Sequence, residues 1–174
     1  MRIKRPEVSM AQSTFDMLFF SKKNKDGLTI LAYTNINVEN IIIPDLVGNL
    51  KVVEIGPLAL SHINKCKSIQ IGKNVKVIGD CAFINSKTIE YIDLGEGVEV
   101  LGSSLFEGCE ELKTIIIGKS VKKIHEFCFR KKLLSDDQIN VSVYVEDNNP
   151  FYYQKNGNIY RKKDNKEIYK QSEL

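Results

Sequence analysis

No stretch of this 174-residue chain approaches the ~18 consecutive apolar residues that a transmembrane helix needs. Arg2, Lys4 and Arg5 stand near the start, but no apolar core follows them. The nearest run, Phe15 to Phe20, is short and contains Asp16. As written, the chain is therefore expected to carry no secretory signal peptide. That leaves localisation undecided between the cytoplasm and a compartment reached through a leader already removed. Charge of one sign is not in excess either. The 25 basic and 22 acidic residues give +3, too even for the basic stripe of a nucleic-acid binder.

Chemistry-bearing motifs are equally scarce. The four cysteines include no C-x-x-C pair, so a zinc site is not expected. Histidine occurs twice, at His62 and His125, without an E-x-x-H or a neighbouring cysteine. No G-x-S-x-G and no phosphate-cradling G-x-x-x-x-G-K occurs. No catalytic residue, metal site or cofactor is expected. The basic triplets Arg130-Lys131-Lys132 and Arg161-Lys162-Lys163 lie close to Asp136, Asp137 and Asp164. They read as solvated loop charge.

What the chain does have is a repeat. Gly72, Gly95 and Gly118 are 23 residues apart, as are Val75, Val98 and Val121. The same step joins Ile78, Leu101 and Ile124, then Phe83, Phe106 and Phe129. Ile69, Ile92 and Ile115 keep it, and so do Ile71, Leu94 and Ile117. A self-similar period of this length signals a solenoid. One such unit cannot bury its apolar face alone, so the stacked array is the folding entity. A degenerate unit precedes the three. Val52, Ile55, Gly56, Ala59 and Leu60 match it, whereas Ile41 to Ile43 sits five residues early. Asp45 to Asn49 therefore reads as a loop insertion. After Phe129 the register is lost in Arg130 to Gln138.

Within a unit, Ile92-Asp93-Leu94 has the period of two of a short strand with one buried face. Gly95 and Gly97 suit a tight turn. Val98 to Leu101 reads as a second extended segment, and Ser103 to Cys109 is the one stretch that could make a helical turn. Counted from each unit's opening glycine, Cys66, Cys81, Cys109 and Cys128 share no register. Cys81 and Cys128, two stacking steps apart, would stand about 10 Å from each other, beyond disulfide reach. They read as buried core residues. Outward charges alternate along the stack, as Lys73, Glu96, Lys119 and as Lys76, Glu99, Lys122, which favours neighbouring strands.

These residues resemble the BspA-like class of leucine-rich repeats. The motif stands as Val75-Lys76-Val77-Ile78-Gly79 with Ala82-Phe83. It recurs as Val98-Glu99-Val100-Leu101-Gly102 with Leu105-Phe106 and Cys109-Glu110-Glu111-Leu112. In the fourth unit His125 and Cys128 replace the glycine and the alanine. The resemblance implies an α/β, leucine-rich-repeat solenoid of short parallel strands, β-dominated with short helical turns. It also implies binding to proteins or host surfaces, often from the cell exterior.

Hairpin signals flank the array. Asp26-Gly27 joins Phe15–Lys22 to Leu28–Tyr33, Asn156-Gly157 joins Tyr152-Tyr153 to Ile159-Tyr160, and Asp164-Asn165 turns toward Glu167–Tyr169. The expected layout is a flexible segment at 1–12 and a single domain at 13–174. Within the domain the N-terminal cap and lead-in strand take 15–48, the repeats 49–132 and the C-terminal cap 133–174.

The outward positions of the main strand should form the binding face: Ser68, Gln70, Tyr91, Asp93, Thr114, Ile116 and Tyr144, with Ile42 and Ser142 at its margins. Val77 and Val100 offer a second outward patch. The expected function is a non-enzymatic module for protein–protein interaction, with a protein partner, no nucleic acid and no transmembrane segment. The alternative is a self-associating structural protein, which would be a homo-oligomer.

Overall fold

The computed structural model describes residue 5 and residues 8–34, 38–131 and 138–171. The chain opens with β1 (Ser9–Met10), α1 (Gln12–Leu18), β2 (Phe19–Lys23) and β3 (Leu28–Tyr33). The solenoid follows as β4 (Asn40–Ile43), β5 (Leu46–Val47), β6 (Leu50–Ile55), β7 (Ser68–Ile71) and β8 (Val77–Ile78). It continues through β9 (Tyr91–Asp93), β10 (Val100–Leu101), β11 (Thr114–Ile117), β12 (Lys123–Ile124) and β13 (Ser142–Val145). β14 (Tyr152–Lys155), β15 (Asn158–Arg161) and β16 (Lys166–Tyr169) close the chain.

Each of the first four coils contributes one strand to each of two parallel ladders, and β13 extends the first. The first is the five-stranded sheet β13-β11-β9-β7-β4. Its inward residues Ile69, Ile71, Ile92, Leu94, Ile115, Ile117 and Val143 are all buried, as period-two alternation requires. The second ladder runs β6-β8-β10-β12 and buries Ile55, Ile78 and Leu101. Gly95 makes the turn between ladders possible. It sits at φ +72°, and a Cβ there would strike the Ile71 carbonyl of the coil below.

The third side of each coil corrects the expected helical turn. Ser103–Cys109 forms turns with no helix, and among the described residues α1 is the single α-helix. Leu58, Cys81 and Ser104, one per coil at the 23-residue step, adopt left-handed φ of 60°, 56° and 49°. His62 and Asn85 (both 57°) and Gly108 (70°) do so four residues later. A right-handed helix cannot pass through two left-handed residues so close together. The freed backbone groups bond between coils instead: Leu60 N–H to Ala82 O (2.9 Å), Cys81 N–H to Ser103 O (2.8 Å) and Asn85 N–H to Glu107 O (2.7 Å). Behind them Phe83, Phe106 and Phe129 stack at 5.9 Å centroid spacing.

The register shows how the irregular units are absorbed. Ser68, Tyr91 and Thr114 pair at steps of 23, but Asn40 pairs with Ser68 and Thr114 with Ser142 at steps of 28. The extra residues at Asp45–Asn49 make a hairpin, β5 with β6, rather than a loop. The ladder continues from β11 to β13 despite the lost repeat between them.

Both ends are capped by antiparallel strands. β2 and β3 form the expected hairpin, except that Phe15 belongs to α1 and the strand begins at Phe19. At the other end β14-β15-β16 make a three-stranded sheet. Tyr169 is fully buried there, its ring 4.9 Å from Phe129 at the end of the aromatic stack. Its hydroxyl donates to Val141 O (2.7 Å) and accepts from Val141 N–H (3.1 Å). Buried Asn149 ties cap to array. Its amide donates to Gly118 O and Val121 O, and its oxygen accepts from Phe151 and Tyr152 N–H. Of the leading segment expected to be flexible, Arg5 and residues 8–12 are described. Ser9–Met10 pairs with Leu46–Val47, and the remaining positions lie outside the described residues.

Candidate functional site

Strands in one register place their outward side chains in rows, and the first sheet carries two. One row is Asn40, Ser68, Tyr91, Thr114 and Ser142; the other is Ile42, Gln70, Asp93, Ile116 and Tyr144. All seven residues chosen from sequence thus share one face. At ~4.8 Å per strand the rows span roughly 19 Å.

The first row is open. Ser68, Tyr91, Thr114 and Ser142 are half-buried and Asn40 is exposed. Burial pushes the Tyr91 phenol up, and the nearby Asp93 charge adds to this. Along its N-terminal border runs a charge column, Lys67, Glu90 and Lys113, with Glu90 2.7 Å from Lys67 and 2.5 Å from Lys113. Lys113 and then Lys67 hold the Glu90 carboxyl down to about 2. The sequence reading missed this column although it follows the same 23-residue step. In the two columns it did identify, Glu96 meets Lys119 at 2.6 Å, and Glu99 meets Lys76 at 3.4 Å and also Lys122.

The second row is partly covered. Ile42 and Tyr144 keep 40% and 43% exposure, but Asp93 and Ile116 keep 4% each. Arg5 lies on this row, more than eighty residues from Asp93 in sequence. Its Nε and Nη2 donate to the two Asp93 oxygens at 2.8 and 2.7 Å, and Nη1 donates to Glu146 Oε1 at 2.9 Å. Burial works against the guanidinium's charge, but these two carboxylates outweigh it and hold its pKa above the usual value. Both acids also accept from the array itself: Gly95 N–H to Asp93 Oδ1 and Lys119 N–H to Glu146 Oε2, each at 2.9 Å. Beyond Tyr144, between β13 and the closing sheet, lies an open groove of about 480 Å³ bordered by Glu146, Asp147, Tyr153 and Gln154. Sequence offered no signal for Arg5 or Glu146, because neither belongs to a repeat position.

Val77 and Val100 pair in register on the second ladder and are half-buried. Cys66, Cys109 and Cys128 are buried free thiols, and Cys81 is partly exposed. Burial pushes the Cys109 thiol up to about 12 and Cys128 further still. Arg161 pairs with Asp164, and Arg130 lies over the Phe127 ring; Lys132 lies outside the described residues. Among the described residues no group of three or more His, Cys, Asp or Glu is placed to hold a metal ion. None of their helices is long and apolar enough to cross a membrane.

A family model described as BspA type leucine rich repeat region (6 copies) matches residues 29–158. No curated protein matches the chain. Among solved structures it is similar to a leucine rich repeat protein of T. pallidum, at 20% identity over 62% of this chain and 61% of that one, TM-score 0.45. It is also similar to a leucine rich cell surface protein from Faecalibacterium prausnitzii A2-165, at 16% identity over 87% and 58% of the two chains, TM-score 0.41. The pneumococcal vaccine antigen PcpA matches at 17% identity over 89% and 57%, TM-score 0.41. The chain spans about three fifths of the length of these proteins.

Proposed function

The chain belongs to the BspA-type leucine-rich-repeat family, and from that premise we propose that it is a non-enzymatic module that binds a protein partner across the outer face of its five-stranded sheet. One observation carries this reading. Five strands in unbroken register line up Asn40, Ser68, Tyr91, Thr114 and Ser142 as a continuous open row. Solenoids use such extended faces for binding because every coil adds one position to the row. Tyr91 lies at the row's centre, where a half-buried aromatic ring with a polar tip suits an interface anchor.

The test is capture of a partner from a native extract on the immobilised chain, with Tyr91→Ala and Thr114→Lys as variants. A central tyrosine anchor contributes about 2 kcal/mol or more, so either change should weaken capture of the same partner at least tenfold. Thermal melts of the variants should match the parent. Undiminished capture by both variants would sink the reading.

A further inference from the structure

The two rows of the sheet face differ in a way that register alone does not produce. Residues at matching positions of one sheet point the same way, yet exposure in the second row drops from 40% and 43% at its ends to 4% at Asp93 and Ile116. The drop coincides with Arg5. Its guanidinium reaches from Asp93 on β9 to Glu146 beyond β13, and β11 with Ile116 lies between those strands.

The segment is anchored again further along. Val8 N–H donates to Asp45 Oδ2 (2.9 Å), and Asp45 N–H donates back to Val8 O (2.7 Å). Ser9–Met10 then adds a strand to β5, the arm that the extra residues of the first coil fold back on β6. The receiving groups are fixed without the segment. Lys73 N–H holds Asp45, Gly95 N–H holds Asp93 and Lys119 N–H holds Glu146. The array therefore presents a preformed seat. What sits in it is held by one guanidinium, the two Val8–Asp45 bonds and a two-residue strand pairing, a short attachment beside the five-strand ladder it rests on. Such contacts open locally at low cost while the array stays folded.

We propose that Arg5 with Val8–Met10 forms a strap that closes the Asp93–Ile116 stretch of the outer face, and that a partner reaches this stretch only when Arg5 lets go. The second half rests on the partner-face reading above; the first half does not.

The test places a thiol under the strap by Ile116→Cys and, separately, one in the open row by Thr114→Cys, each in the full chain. Alkylation rates are read by peptide mapping, with and without Arg5→Ala. Removing the guanidinium should raise the rate at position 116 at least tenfold and leave that at position 114 within twofold. Arg5→Lys should fall between, because an ammonium cannot fork across two carboxylates. Equal rates at 116 with and without Arg5 would overturn the strap. An equal rise at both positions would also overturn it, since that reports a loosened array. In the capture assay Arg5→Ala should retain at least threefold more of the partner held by the parent chain; unchanged retention despite faster labelling would refute the competition. If the parent chain captures nothing, the partner-face reading fails while the labelling still decides the strap.

Discussion

A thiol reacts as its thiolate, so burial controls reactivity at the scale of single residues. Cys66, Cys109 and Cys128 are buried, and burial raises all three. Cys81 is also raised, by burial first and then by Asp80 and Glu107, but it is partly exposed. A thiol reagent on the native chain should therefore modify Cys81 first and the others only on unfolding. Rapid reaction of Cys109 or Cys128 in the folded chain would contradict the packing described. Glu90 makes a second residue-scale prediction. Lys113 and Lys67 hold its carboxyl at about 2, below the ordinary 4.5. A depressed folded-state pKa contributes stability that is present above the unfolded value and is lost as pH falls. Glu90→Gln should thus lower the melting temperature at pH 7, with the difference shrinking between pH 4.5 and pH 2 and in high salt. A difference that persists at pH 2 would mean that the substitution acts through something other than charge.

At the scale of elements, the bends on the third side of each coil are the feature with the clearest energetic signature. Left-handed backbone costs a non-glycine residue about 1–2 kcal/mol. Leu58 bears that cost with a largely exposed side chain, so glycine there gives up little packing. Glycine raises the entropy of the unfolded chain by about 0.4–1 kcal/mol, which offsets part of the gain. Leu58→Gly should stabilise the chain by about 0.5–1 kcal/mol in urea titration; a loss of stability would show that the bend is not strained. The same element marks where sequence stopped being informative. The two ladders were legible because β-branched residues alternate at a fixed 23-residue step. The bends were not, because leucine, cysteine and serine at the first left-handed position carry no such signal, and His62, Asn85 and Gly108 at the second share no residue type that would mark it as a repeat position. Ser103–Cys109 thus read as a helical turn.

At the scale of the whole molecule, the regular coils meet irregular ends. Six of the seven face residues stand at repeat positions, which decide which way they point; Tyr144 follows from the alternation of its own strand. Arg5, Asp45 and Glu146 were not, because they belong to no repeat and meet through contacts that join distant parts of the sequence. The consequence is a face with one open row and one partly strapped row, and the proposed function depends on the open one. The measurement that addresses this most directly is photo-crosslinking in the captured complex, with a photoreactive side chain replacing Tyr91 in one chain and Val100 in another. The account expects partner adducts from position 91 and none from position 100. Adducts from position 100 alone would move the partner to the second ladder and contradict the account.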